Sequence, residues 1–312
     1  MRAPRIRVLF RAAAGARIGF GHLVRCRSIA RALSAEALVS VRDTRRTQHI
    51  ARSHGWSLVD PFADRDLRHS AFDVIVIDEP SAVHAAIWLR RARRLGIPVA
   101  SVHDLGLGHI ESDVRFDASA DPILDPSILD ARLRARRPVP RRVLVALGGA
   151  GHVRALAARL TDAIAARVPN VSIHVACGFL TDAGRPALAN GRWVPAPDGL
   201  TGELSAASIV VTAGGVTLLE ACALGVPAVA LAVTDAQRPT IRAVTLAGAA
   251  IDAGAPPGSA LIIAGAADAA AALLSDARAC RRMSEAGRRL VDGLGVFRAA
   301  DRLRDLGRAC AA

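Results

Sequence analysis

Phe72-Asp73-Val74-Ile75-Val76-Ile77-Asp78 is a near-continuous apolar run closed by an acid. A short run with no polar alternation has both of its faces covered, as in the strands of a parallel sheet. Parallel strands need long crossover connections, usually helices. The flanking sequence supplies them. Arg5 to Arg11 reads as a strand, a glycine-rich turn follows, and Leu23 to Leu33 has apolar residues at helical spacing. Ala37 to Val41 reads as a strand, Arg45 to His54 and Ala82 to Leu95 as helices, and Ile97 to Val102 as a strand closed by His103-Asp104. Such alternation predicts a doubly wound α/β sheet. Arg136 to Arg142, with two prolines among arginines, resembles a linker, after which the pattern restarts with Val143 to Leu147, a glycine turn and a helix from His152 to Val168. Val171 to Ala176, Gly191 to Val194, Ser208 to Val211, Pro227 to Leu231 and Ala249 to Asp252 read as further strands, and the tail from Asp268 as mostly helical. The expectation is two Rossmann-like domains, 1–138 and 139–312, with the last helix packing back on the first.

In open α/β sheets ligands bind at the carboxyl ends of the strands. Gly19-Phe20-Gly21-His22 lies there, between the first strand and the first helix. Gly19 and Gly21 would let the backbone turn and leave room for a ligand. A helix start disfavours protonation of a histidine, so His22 is a candidate base. Arg25 follows one helical turn later, on the same face. Asp78 and Asp104 end the third and fourth apolar runs and belong to the same edge. Read without that context, Gly-x-Gly-His is equally a helix cap or a surface histidine.

Two glycine turns in the second half have the form that holds a diphosphate: Gly148-Gly149, and Gly214-Gly215-Val216 at the start of a helix. Glu220 stands in an otherwise apolar stretch of that helix, where an acid can accept ribose hydroxyls; a solvated helix charge is its bland reading.

Composition narrows the partners. The formal net charge of +13 comes from arginine alone, since lysine is absent, and aromatic residues make up 3%. Stacking platforms for single strands are therefore scarce, and no nucleic acid is expected as a partner. An anionic small molecule, or peripheral contact with an anionic membrane surface, fits the charge. No apolar run reaches the ~20 residues of a membrane span. The N-terminus lacks the apolar core of a signal peptide, which makes the cytoplasm the expected compartment. The cysteines at 26, 177, 222, 280 and 310 have no metal-ligand spacing and read as reduced and structural.

The run from Ser208 through Gly214-Gly215-Val216-Thr217-Leu218-Leu219-Glu220 to Ala228 resembles the donor-nucleotide motif of GT-B glycosyltransferases, such as the N-acetylglucosaminyltransferase of peptidoglycan synthesis. Arg11 to Cys26, with its Ile-Gly-Phe-Gly-His-Leu-Val-Arg-Cys, resembles the opening of the UDP-sugar hydrolases of pseudaminic acid biosynthesis and their spore-coat polysaccharide relatives. Asp73 to Asp78, Val102 to Leu105, Val143 to Gly149 and Thr234 to Gln237 stand in that family's order. The resemblance implies a GT-B-like fold with a cleft between its domains, and UDP on the second domain. Glu220 would hold the ribose, with the Gly214, Gly215 and Val216 amides near the phosphates and Asp235 and Gln237 on sugar hydroxyls. His22 would activate a water for inverting attack, with Asp78 and Asp104 on the water side, and neither metal nor cofactor is called for. Glu79-Pro80 replaces the family's histidine and aromatic, and Leu219 and Ala236 replace asparagines. The expected activity is a UDP-aminosugar hydrolase. The alternatives are a GT-B glycosyltransferase, in which His22 deprotonates an acceptor hydroxyl, and a non-catalytic binder.

Overall fold

A computed structural model describes residues 5–15, 18–41, 45–59, 72–104, 110–148, 153–178, 185–196, 199–254 and 259–309. Gly149, Gly151, His152 and Cys310 lie outside the described residues. The chain divides into two compact units, Met1–Pro126 with Leu294–Ala312, and Ser127–Gly293.

In the first unit, β1 (Arg7–Ala12), β2 (Glu36–Val41), β3 (Ser57–Leu58), β4 (Val74–Asp78), β5 (Val99–His103) and β6 (Val114–Asp117) form a parallel sheet in the order β3-β2-β1-β4-β5-β6. The apolar run of β4 is buried throughout. Helices α1 (Gly21–Leu33), α2 (Arg45–Ser53) and α3 (Ala82–Arg94) connect the strands. Helix α1 buries Leu23, Cys26, Ile29 and Leu33, one stripe at helical spacing. It stops at Ser34, whose left-handed backbone (φ 52°) lets the Ser34 and Ala35 amides reach the Arg31 and Ala30 carbonyls. Ala85, Trp88, Leu89 and Ala92 of α3 pack with Leu9, Ile75, Ile77 and Val99 of the strands.

The second unit repeats the plan. Its strands are β7 (Arg142–Ala146), β8 (Ser172–Ala176), β9 (Arg192–Val194), β10 (Ile209–Ala213), β11 (Ala228–Leu231) and β12 (Ile251–Asp252), parallel and ordered β12-β11-β10-β7-β8-β9. Read from its own first strand, this is the order of the first sheet. Around it stand α4 (Pro126–Arg132), α5 (Val153–Arg167), α6 (Thr201–Ala206), α7 (Val216–Leu224), α8 (Arg238–Leu246), α9 (Ala260–Ser275) and α10 (Ala277–Leu290). Leu160 and Ile164 of α5 and Ile262, Ala266 and Ala270 of α9 cover Val143, Val145 and Val211 of the sheet.

The units meet in sequence between Pro126 and Ser127, where the linker reading puts the change at 138 and 139. Arginine hydrogen bonding explains the difference. Arg132 Nη1 donates to the Ala223 and Val291 carbonyls and Nη2 to that of Arg288, at the C-terminal ends of α7 and α10. Arg136 Nη1 donates to Ala207 O at 2.7 Å. The stretch after α4 is therefore fastened into the second unit. The last helix, α11 (Gly295–Ala309), belongs to the first unit. Gly307 sits against Ile6, Arg304 donates to Ala32 O, and Arg298 pairs with Asp121.

Candidate active site

Both sheets reverse their strand order beside their first strand: between β1 and β4 in one, between β7 and β10 in the other. Loops leaving adjacent strands diverge at such a point and leave a crevice at the carboxyl edge.

In the first unit the crevice is bounded by the turn after β1 and by Asp78, the last residue of β4. The Ala13 amide donates to Asp78 O at 3.0 Å, fixing the two strand ends together. Gly15 and Gly19 exchange backbone hydrogen bonds of 3.0 and 2.7 Å, and Gly19 has φ +82°, which a side chain would disfavour. Gly21 has no such constraint; it is the first residue of α1, with open space where a Cβ would stand. The residue before it, Phe20, offers no side-chain cap, so the first-turn amides of α1 have no partner from that side chain.

His22, Arg25, Asp78 and Asp104 come together here. His22 Nδ1 lies 2.8 Å from Asp78 Oδ1. Arg25 donates from Nε to Asp78 Oδ2 at 2.8 Å and from Nη2 to Oδ1 at 2.6 Å, and from Nη1 to Asp104 Oδ2 at 2.5 Å. Burial alone would raise the Asp78 carboxyl. The charge of Arg25, then that of His22, and the hydrogen bonds from both outweigh it and hold the group well below the usual carboxylate range. Burial likewise opposes the Arg25 charge, but Asp78 and then Asp104 raise the guanidinium above its ordinary value. An ionised carboxylate only accepts, so a 2.8 Å contact requires a proton on His22 Nδ1. The neutral imidazole then carries its lone pair on Nε2. Arg25 Nη2, 3.1 Å from Nδ1, faces an N–H, and both groups converge on Oδ1.

The sequence reading sets Arg25 beside His22 on the face turned to the ligand pocket, and Asp78 with Asp104 on the water side, all three as substrate-binding residues. In the structure Arg25 and Asp78 are almost fully buried and spend their polar atoms within this cluster, while Asp104, with 21% of its side chain exposed, has the more open carboxylate. The Arg11–Glu79 pair was missed altogether. Arg11 Nη2 donates to Glu79 Oε2 at 3.2 Å, the Ser81 amide donates to Oε1 at 3.1 Å, and both side chains are buried. The Glu79 that departs from the family pattern is thus used inside the unit, stabilising Arg11 and the turn into α3. Two charges separated by 68 positions leave no local signal.

In the second unit Gly148 follows β7 with φ +103°, and Thr212 Oγ1 of β10 donates to Ala146 O at 2.7 Å across the switch point. The two glycines after β10 differ. A Cβ on Gly214 would fall 2.7 Å from Gln237 O and 2.6 Å from Ile241 Cγ1, so this glycine lets α8 approach. A Cβ on Gly215 would meet nothing within 4 Å. Gly215 is the N-cap of α7 and gives it no side-chain bond, so Val216 and Thr217 open the helix without a cap. Glu220 is 8% exposed, one turn into α7. Asp235 is exposed and pairs with Arg238 at 2.9 Å. Gln237 turns its Oε1 back to accept from the Val233 amide at 2.9 Å, which closes the 3₁₀ turn Asp235–Gln237 and commits that oxygen within the turn. A surface depression of about 330 Å³ lies along α5 and α9, lined by Arg159, Asp162, Arg167 and Ile263, and holds none of these residues.

Neither a protein-family model nor a curated protein sequence matches the chain. Solved structures do. The glycosyltransferase SnogD from Streptomyces nogalater is similar over 97% of this chain and 100% of its own, with TM-score 0.63 and 19% identity. The glycosyltransferase SsfS6 of Streptomyces sp. SF2575, complexed with thymidine diphosphate, covers the same shares at TM-score 0.61 and 16% identity. MurG of Acinetobacter baumannii does so at TM-score 0.59 and 16% identity. At these identities the likeness is one of fold, and it spans both sheets: the chain has the two-domain Rossmann-like α/β fold of these glycosyltransferases.

Proposed function

We propose that the chain is a glycosyltransferase that uses a nucleotide sugar, with His22 as its base and the second unit as its donor-binding half. The observation that carries this reading is the His22–Asp78 contact at the switch point of the first sheet. An imidazole whose Nδ1 proton is held by a buried carboxylate presents Nε2 as acceptor, and the carboxylate stabilises the imidazolium that forms. His22 Nε2 takes the proton of an acceptor hydroxyl as its oxygen attacks the anomeric carbon. The bond from that carbon to the diphosphate breaks, the electron pair leaves with the nucleoside diphosphate, and attack on the opposite face inverts the configuration. A positioned base of this kind contributes on the order of 10² to 10⁴ in rate.

For the leaving group, the uncapped start of α7 and the open face of Gly215 favour anionic oxygens, at roughly 0.3–1 kcal/mol for an exposed helix end. Glu220 is assigned to the ribose, Asp235 and the Gln237 amide nitrogen to sugar hydroxyls. That the SsfS6 structure holds thymidine diphosphate supports a nucleoside diphosphate as the ligand class.

Hydrolysis, with water as the acceptor, is a second reading, favoured by the Gly19 to Cys26 motif. One experiment tests both. UDP- and dTDP-sugars are incubated with the purified chain, with and without a panel of hydroxyl-bearing acceptors, and nucleotide release is followed. Release that requires an acceptor and is lost in His22→Ala fits the transferase; equal release without acceptor selects the hydrolase. No release from any donor under either condition sinks both.

A further inference from the structure

A carboxylate alone against a histidine in a buried site does more than orient it: it also traps the imidazolium. Here a third group shares the carboxylate. Arg25 reaches both oxygens of Asp78 through Nε and Nη2, and its remaining Nη1 reaches Asp104. The two-pronged geometry matches guanidinium to carboxylate and cannot be copied by an ammonium. We propose that Arg25 is a positioning residue for His22. By neutralising Asp78 it lets that carboxylate fix the imidazole's orientation and tautomer without holding it protonated, and Asp104 tempers the effect from the other side. The inference rests on the reading of His22 as the base.

Among the described residues, Asp78 and Arg25 contact the imidazole directly, and further charged or titratable groups reach it through them. Arg25 and Cys26 come from α1, Asp78 from β4 and Asp104 from the end of β5; the Cys26 Sγ points at Asp78 Oδ2 from 3.9 Å and its thiol is pushed up by burial. Arg11 and Glu79 pair with each other nearby. Removing Arg25 therefore leaves a buried Asp78 whose best remaining cation is the His22 imidazolium. Removing the Asp104 charge leaves Arg25 less compensated and disfavours that imidazolium. The two changes push in opposite directions, which a purely structural role does not predict.

The test is nitrogen NMR of the full chain labelled at histidine, followed against pH. The wild type is expected to show the Nδ1–H tautomer of His22 above its protonation midpoint. In Arg25→Gln that midpoint rises by about one pH unit, about tenfold in proton affinity, and in Asp104→Asn it falls. Arg25→Lys, which keeps the charge and loses the fork, keeps a midpoint near wild type but not the single tautomer. Asp104 is partly exposed and its contact among the described residues is with Arg25, so Asp104→Asn is expected to fold even where Arg25→Gln does not. Midpoints that stay put in Asp104→Asn, or move together with Arg25→Gln, overturn the inference. Nucleotide release from the same samples separates the two ideas. Opposed shifts with no release sink the transferase reading and keep the Arg25 role; release with unmoved midpoints does the reverse.

Discussion

At the scale of single residues the site depends on which atom of His22 carries its proton. Asp78→Asn keeps the shape but offers an amide that can donate, so Nδ1 can become the acceptor and Nε2 the protonated atom. A loss of roughly 10³ to 10⁴ in turnover, with donor affinity unchanged, is the expected outcome in steady-state assays, since a wrong tautomer removes the base without touching the donor half. The same residue governs acid stability. Its folded carboxyl lies below the unfolded value, so its contribution is fully present above pH ~4 and is lost as pH falls below that toward the folded value. Urea melts of wild type between pH 5 and pH 2 should therefore lose stability, and those of Asp78→Asn should be flatter over that window. An equally steep loss in the variant would mean that other carboxylates set the acid limb.

At the scale of elements, the paired glycines after β10 separate packing from binding. Gly214→Ala puts a methyl into Ile241 and the Gln237 carbonyl, and overpacking of that kind costs about 1–3 kcal/mol. Gly215→Ala meets open space at φ −113°, a backbone that alanine adopts freely, so its stability should stay within about 0.5 kcal/mol of wild type. On the proposed function it should still weaken nucleoside diphosphate binding, as calorimetric titration would read, because the methyl occupies the face where the phosphates approach. Unchanged affinity in Gly215→Ala would move the phosphates away from the α7 start. The sequence was a good guide to these elements and a poor one to their internal partners. The apolar runs of β4, β7 and β10 have covered faces and declare themselves as buried strands, and the glycine turns mark where helices begin. β3 and β6 were not foreseen, because Ser57–Leu58 is a two-residue strand and the apolar–polar alternation of Val114–Asp117 lasts only four residues, too short to stand out from a loop. Among the site residues, strand-end position was enough to bring Asp78 to His22 and Asp104 into the same cluster through Arg25. Nothing local could say that Arg25 would turn inward to them rather than outward to a ligand, since that choice is made by two carboxylates 53 and 79 positions away.

At the scale of the whole molecule, the charge of +13 raises the question of what so many arginines do. Many of them donate to main-chain carbonyls. Arg132 spans the ends of α7 and α10, Arg136 and Arg141 hold Ala207 O and Pro169 O, Arg302 holds Arg115 O, and Arg304 holds Ala32 O. A guanidinium is suited to this work because helix C-terminal carbonyls lack partners and carry partial negative charge. Its planar fork reaches several acceptors at once, which an ammonium on a flexible stem does less well. The basic segment between Arg132 and Arg142 is thus part of the folding of the second unit, in place of the flexible hinge its composition suggests. Arg132→Lys, which preserves net charge, should cost about 1–3 kcal/mol in urea melts, because one ammonium cannot serve Ala223, Val291 and Arg288 together and a charged hydrogen bond is worth about that much. The exposed neighbour Arg134→Lys should change stability by less than about 0.5 kcal/mol. Equal effects from the two would return the arginine excess to a matter of surface charge, and a large effect confined to Arg132 would tie it to the closing of helix ends.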